Sequence, residues 1–186
     1  DSAADPMVLD VADSGEAITE LTIGSDGSSS NFLRVTGSAN LVTMKVEGSE
    51  NLTIADTVGA GNMSGVTTLN ASGASGNMVV SVDNPVTSLT MGSGNDTVTA
   101  VAAPAASATW NGGTGNDTLD LATFGSNTAT ISGFETLQVT SGTIDFTNIT
   151  DVDDLQVTTS ATLQNVGIGA ISDQVTFDDG ASITVS

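Results

Sequence analysis

Residues 110–120 read WNGGTGNDTLD, and residues 91–99 read MGSGNDTVT. Each stretch places glycines, an asparagine and an aspartate in one short run and then resumes an alternation of polar and apolar residues. Such a run is typical of a turn that leads directly into a β-strand. The two aspartates, Asp96 and Asp117, are 21 residues apart. This spacing indicates that the two turns belong to successive copies of a repeat.

A six-residue pattern of apolar, two polar, apolar, polar, and small or apolar residues recurs along the chain. Its copies lie at 66–71, 86–91, 134–139 and 152–157, with a looser copy at 41–46 and the stretch 107–112 in the interval. Glycine-rich turns follow these copies at 47–51, 72–77, 92–96, 112–117 and 141–142. A second short alternating strand follows each turn. The repeating unit is therefore a strand, a glycine turn, a second strand and a looser return.

A unit of roughly 20 residues cannot enclose a hydrophobic core, but stacked units can, because each strand pairs with its copy in the next coil. The sequence therefore predicts an all-β fold, a parallel β-solenoid that forms a single domain over residues 1–186. We expect this domain to be a segment of a longer secreted protein. An antiparallel β-sandwich is the alternative, since it also has short strands and glycine-rich turns. A sandwich gives no reason for one hexamer to recur at a nearly constant period.

The charge of the chain restricts its partners and its chemistry. There are 22 acidic and 2 basic residues, and the formal net charge is −20. Such a surface repels nucleic acid and anionic lipid, so we expect neither nucleic-acid binding nor membrane insertion. The absence of cysteine and histidine disfavours zinc and removes the usual general base, so we expect no enzyme. Abundant carboxylate oxygens suit a hard cation such as calcium.

The two glycine turns are the predicted cation site. In a solenoid, Asp96 and Asp117 lie one above the other on the same edge. Glycine permits a positive φ and lets carbonyl groups turn inward, so two stacked turns can share one calcium ion. The predicted site consists of Asp96, Asp117, Gly92, Gly94, Asn95, Gly113, Gly115 and Asn116. Left-handed backbone geometry at Asn95 and Asn116 would help the turns to close. The alternative is an ordinary Asn-Asp turn in each case.

Two further acidic groups are weaker metal candidates. They are Asp151, Asp153 and Asp154 in DVDDL, and Asp178 with Asp179 in FDDGAS. A solvated turn is the alternative interpretation of both. Trp110 is the only tryptophan, and we expect it to pack between coils, with Val98 and Leu119 in the core.

GGTGNDTLD (112–120) resembles the RTX nonapeptide, in which glycines at the first, second and fourth positions precede an aspartate and an apolar residue. MGSGNDTVT (91–99) matches it except for Met91 at the first glycine position. The resemblance implies a right-handed parallel β-roll with calcium between turns and secretion by a type I machine. The chain departs from the family because the half-coil between the two motifs has no nonapeptide. We therefore expect one ion layer on one edge.

ISGFETLQVTSGTIDF (131–146) resembles a phrase of bacterial surface-layer (S-layer) proteins of the RTX type. The resemblance implies a structural, calcium-stabilised segment at the bacterial cell surface. Its expected partners are further copies of itself, in a lattice or homo-oligomer, and a cell-surface polysaccharide. Two alternatives remain: an adhesin or receptor-binding module, and the carrier region of a type I-secreted enzyme.

Overall fold

The computed structural model describes residues 7–11, 18–36, 38–54, 63, 65–82, 86–101, 103–124, 129–167 and 169–186. Sixteen strands lie in these ranges: β1 (Met7–Asp10), β2 (Glu20–Gly24), β3 (Asn31–Thr36), β4 (Thr43–Gly48), β5 (Leu52–Ile54), β6 (Thr68–Ala74), β7 (Met78–Val82), β8 (Ser88–Thr90), β9 (Thr97–Ala100), β10 (Thr109–Asn111), β11 (Thr118–Phe124), β12 (Thr130–Ser132), β13 (Thr136–Asp145), β14 (Val152–Gln164), β15 (Ile171–Phe177) and β16 (Ser182–Val185). Two single-turn 3-10 helices cover Ser38–Asn40 and Phe146–Asn148.

The strands form two parallel sheets that the chain visits in turn. The order of the ten-stranded sheet is β1-β3-β5-β7-β9-β11-β13-β14-β15, with β16 also on β14, and that of the six-stranded sheet is β12-β10-β8-β6-β4-β2. Each even-numbered strand up to β12 is followed by an odd-numbered strand in the opposite sheet, so one strand from each sheet makes a coil. The coils stack in about seven turns of about 21 residues. This arrangement confirms the predicted parallel β-solenoid and excludes the sandwich.

The core consists of apolar columns that run along the solenoid. In the ten-stranded sheet, the paired residues Val98, Leu119, Leu137 and Leu155 are all buried. In the six-stranded sheet, the corresponding paired residues are Met44, Leu69, Leu89, Trp110 and Ile131. Because strands alternate their side chains, every second residue faces this core. Each buried Leu or Val contributes roughly 1.5–3 kcal/mol to folding, and the predictions for Val98, Leu119 and Trp110 are confirmed.

All the connections that lead from the six-stranded to the ten-stranded sheet lie on one edge, which we call the glycine edge. It comprises residues 25–30, 49–51, 75–77, 91–96, 112–117 and 133–135. Both nonapeptide-like stretches therefore lie on the same edge, in adjacent coils.

Two details of the predicted repeat are wrong. The copies at 134–139 and 152–157 extend into β13 and β14 of the ten-stranded sheet, whereas those at 41–46, 66–71 and 86–91 belong to the six-stranded sheet. Strands of both sheets bury alternate residues, so the pattern itself does not distinguish them.

The predicted glycine turn at 141–142 is also absent. Ser141 and Gly142 lie inside β13 and pair with Ser160 and Ala161 of β14, next to a register shift after Val139. The turn of this coil is 133–135 instead. At Gly142 the chain therefore continues as one strand, Thr136–Asp145, and does not turn.

Candidate metal centre

Asp96 and Asp117 occupy equivalent positions in successive coils. Each directly precedes a strand of the ten-stranded sheet, and the following residues Thr97 and Thr118 are paired across the two coils. Each aspartate is two residues before a core side chain, so it points inward as that side chain does. Both are buried, with 1% of Asp96 and 0% of Asp117 exposed.

The position of these aspartates is shared by a third acid, Glu135. Thr118 pairs with Thr136, which places Glu135 beside Asp117 in the next coil. We call Asp96, Asp117 and Glu135 the acid column. In the two preceding coils the same position holds apolar residues, Leu52 and Met78, both buried. Sequence reasoning missed Glu135, although the local pattern of an acid, threonine and an apolar residue is the same in DTV, DTL and ETL.

Each acid of the column accepts a hydrogen bond from the main chain of the coil before it. Asp96 Oδ1 accepts from the N–H of Met78 at 2.8 Å, and Asp117 Oδ1 accepts from the N–H of Asp96 at 2.7 Å. Glu135 Oε2 accepts from the N–H of Asp117 at 2.7 Å. Asp96 Oδ2 accepts a second bond, from the N–H of Gly92 at 3.2 Å. The carboxylates thus satisfy backbone donors that the turns leave outside the sheet ladder.

Among the described acids, Asp117 has the environment that is least favourable to a negative charge. Burial is the largest cause that raises the pKa of Asp117, to about 7. The hydrogen bond from the N–H of Asp96 opposes this shift, whereas the charges of Asp96 and Glu135 add to it. Burial also raises the pKa of Asp96, against two backbone hydrogen bonds that lower it. Moreover, Asp117 Oδ2 is buried and has no hydrogen-bond partner among the described residues.

The predicted site glycines stack on one another along the glycine edge. A Cβ atom on Gly113, where φ is +99°, would lie 2.0 Å from the carbonyl oxygen of Gly92. A Cβ atom on Gly115 would lie 2.2 Å from the carbonyl oxygen of Gly94. The Gly92 carbonyl accepts a hydrogen bond from the N–H of Thr114 at 3.0 Å. Glycine is required here because the main chains of adjacent coils approach closely.

The predicted left-handed conformation of Asn95 and Asn116 is wrong. Among the described residues other than glycine, positive φ occurs only at Ser107, Asp151 and Asn165. Asn95 Oδ1 instead accepts a hydrogen bond from the N–H of Asn116 at 3.0 Å, and Asn77 Oδ1 accepts one from the N–H of Asn95 at 2.9 Å. Asn51 Oδ1 accepts from the N–H of Asn77 at 2.8 Å. We call Asn51, Asn77, Asn95 and Asn116 the asparagine ladder.

The weaker candidates do not form one group. Asp151 lies just before β14, and its Oδ2 accepts bonds from the N–H of Gly133 at 3.3 Å and the hydroxyl of Thr150 at 2.9 Å. Asp153 and Asp154 lie within β14 and not in a turn. Asp153 follows Glu135 in the register of the column but is exposed.

Asp154 has one buried oxygen, Oδ1, without a hydrogen-bond partner among the described residues. Asp178 and Asp179 are exposed between β15 and β16, outside the acid column. These positions therefore add no buried acid to the acid column.

The carboxylate oxygens of the acid column are of the type that a hard cation prefers, but they are too few to bind one without other ligands. Within the described ranges, no three acidic side chains converge closely enough to hold a metal ion. A cation at the column would therefore also require main-chain carbonyl or water oxygens, which calcium accepts among its 6–8 ligands. The partnerless Oδ2 of Asp117, between two other acids, is the atom that a cation would satisfy.

Comparisons of the chain with family models, with curated proteins and with solved structures find no match. Across the described parts of the chain, no helix has both the length and the apolar character needed to span a membrane.

Proposed function

We propose that the chain is a structural segment of a secreted bacterial cell-surface (S-layer) protein, stabilised by calcium at the glycine edge. The observation that carries the proposal is the buried carboxylate oxygen of Asp117 that has no hydrogen-bond partner in the described parts of the chain. Burial of an ionised carboxylate is costly unless it is paired or bound to a metal. Calcium is the metal whose oxygen preference fits these donors, and it is the ion implied by the resemblance to RTX repeats.

The residues that would hold the ion are Asp117 and the main-chain carbonyls of the stacked turns 91–96 and 112–117, with Asp96 adding negative charge beside them. Bound calcium would supply positive charge to a buried group of acids and so offset their mutual repulsion. The role of the chain's own residues is positional: the glycines bring the turns close together, and the strands on either side fix the two aspartates in adjacent coils.

The net charge also supports a dependence of folding on the calcium concentration, which differs between the cytoplasm and the exterior of the cell. At a net charge of −20, the metal-free chain repels itself, which destabilises the compact state. Extracellular calcium modules bind the ion at roughly 10⁻⁴–10⁻³ M. The chain would therefore remain weakly folded in calcium-poor cytoplasm and become locked outside the cell. The same ions could bridge acidic surfaces of neighbouring copies in a lattice.

At the C-terminal strands β15 and β16, apolar side chains that continue the core columns are exposed. Val175 and Phe177 of β15 and Val185 of β16 continue the core columns, yet they are 40%, 62% and 68% exposed. A further layer of strands placed on this end would cover these side chains and pair the edge of the sheet.

Thermal unfolding in EDTA and in 10 mM calcium, followed by circular dichroism and by Trp110 fluorescence, tests the proposal. With a Kd of about 10⁻⁴ M, calcium should stabilise the wild-type protein by about 2.7 kcal/mol. The double variant Asp96→Asn with Asp117→Asn should lose most of this gain. The control, Asp178→Asn with Asp179→Asn, changes the charge equally at exposed positions and should keep it. An identical Tm of the wild-type protein with and without calcium would refute the proposal.

A further inference from the structure

We propose that Glu135, which lies outside both nonapeptide-like stretches, is a cation ligand and that the divalent ion is held between Asp117 and Glu135. This inference rests on the proposed calcium-dependent function. It moves the centre of the site by one coil toward the C-terminus, away from the pair of acids that the sequence repeat suggests.

The register gives Glu135 the same relation to Asp117 that Asp117 has to Asp96. Thr136 pairs with Thr118 as Thr118 pairs with Thr97. In both steps, the acid of the later coil accepts the main-chain N–H of the acid in the earlier coil, at 2.7 Å. Glu135 is therefore a structural member of the column, although it lacks the glycine-rich turn of the other two.

Asp96 and Asp117 differ in how many of their carboxylate oxygens accept a hydrogen bond. Both oxygens of Asp96 accept main-chain N–H groups, at 2.8 and 3.2 Å. Asp117 has one such bond, through Oδ1, and its buried Oδ2 has no partner among the described residues. An unpaired buried carboxylate oxygen is costly, whereas Asp96 is satisfied without a metal. The need for a cation is therefore centred on Asp117.

Exposure favours Glu135 over Asp96 as the second carboxylate. Only 1% of Asp96 is exposed, while Glu135 is half-buried and so contacts both the column and solvent. A hydrated ion could reach Asp117 from the side of Glu135 and keep water ligands there. Because Glu135 uses Oε2 for its main-chain bond, its other carboxylate oxygen can serve the ion.

Isothermal titration with calcium, together with terbium luminescence sensitised by Trp110, tests this assignment on the full chain. Glu135→Gln should keep the hydrogen bond from the N–H of Asp117 and weaken calcium binding at least tenfold. Asp96→Asn should weaken it less than threefold. Glu47→Gln, the same change at an exposed acid within β4, should leave it unchanged.

Circular dichroism of each variant in calcium will show whether it is folded. Glu135→Asp keeps the negative charge and places an aspartate where the other two members of the column are aspartates. It should therefore bind calcium more tightly than Glu135→Gln. Two outcomes would show that the assignment of Glu135 is wrong while the proposed function stands, provided that the wild-type protein binds calcium and the variants fold. In the first, Glu135→Gln binds calcium as tightly as the wild type. In the second, Glu135→Gln and Glu135→Asp bind it equally. If the wild-type protein binds no calcium, both proposals fail.

Discussion

At the scale of single residues, Asp117 is a side chain that is costly to ionise in the folded protein. Its carboxyl is buried between two other acids, and a main-chain hydrogen bond offsets this cost only in part. A side chain that is costly to ionise at a fixed position is a common feature of functional sites. The sequence predicted that Asp117 lies above Asp96 on one edge, but neither its burial nor the oxygen that has no hydrogen-bond partner among the described residues.

The raised pKa of Asp117 predicts the pH dependence of the metal-free protein. The folded state binds the proton more tightly than the unfolded state, because the pKa of Asp117 is raised from its ordinary value of 3.8 to about 7 in the folded protein. The stabilisation is therefore complete below 3.8 and is lost as the pH rises through 7. Urea unfolding of the metal-free protein should show a midpoint that falls between about pH 4 and pH 7.

In Asp117→Asn this fall should be smaller, while the exposed control Asp179→Asn should behave as the wild type. The raised pKa of Asp96 acts in the same direction. The lowered pKa of Asp145, which accepts hydrogen bonds from Thr147 and Asn165, affects stability only at lower pH. A midpoint that rises with pH across this window would contradict the prediction.

The close approach of main chains at Gly113 predicts a second, steric effect. Gly113→Ala should combine the cost of a left-handed φ, about 1–2 kcal/mol, with about 1–3 kcal/mol of overpacking against Gly92. Gly180→Ala is the matched control, since φ is +87° there and no atom lies within 4 Å of the added Cβ. It should show the first cost alone. Equal losses of unfolding free energy in the two variants would exclude a role for the contact between coils.

At the scale of elements, turns of the glycine edge are held in register by side chains as well as by the strands. The asparagine ladder and the acid column occupy neighbouring positions, and both use a side-chain oxygen to bind a main-chain N–H of the adjacent coil. The two sets differ in direction: an asparagine accepts from the coil after it, an acid from the coil before it. The turns 75–77, 91–96 and 112–117 are thereby each connected to both of their neighbours.

Asn77 provides the test of this ladder. Asn77→Ala removes the acceptor of the Asn95 N–H and should lower the unfolding free energy by about 1 kcal/mol. Asn148→Ala, at an exposed position of a 3-10 helix, should change it by less than about 0.5 kcal/mol. Chemical denaturation in EDTA measures both. A loss at Asn148 equal to that at Asn77 would show that the ladder does not stabilise the turns.

At the scale of the whole molecule, an apolar core that is continuous along the axis stabilises the fold, while repulsion between acidic residues destabilises it. Its 22 acidic residues face two basic ones, of which Lys45 forms an exposed ion pair with Glu20 at 2.7 Å. A single exposed pair contributes little. The stability of the metal-free protein is therefore expected to depend on screening of the whole charge.

Salt should test this expectation. Raising sodium chloride from 10 mM to 1 M shortens the Debye length from about 30 to about 3 Å, so the Tm in EDTA should rise. With saturating calcium the rise should be smaller, because the most crowded acids are then already neutralised. A Tm in EDTA that is independent of salt would mean that repulsion between carboxylates does not limit stability.

The sequence by itself determined the all-β class, the coil spacing and the placement of Asp96 and Asp117 on one edge of adjacent coils. These features repeat along the chain and follow from side-chain alternation, which is local. Only the tertiary structure decided which sheet each strand joins, that Glu135 extends the acid column, and that Asn95 and Asn116 bond to neighbouring coils instead of reversing their own turns. Those outcomes depend on partners 18–21 residues away. Whether a buried oxygen finds a hydrogen bond is a property of the stacked coils and not of any one coil.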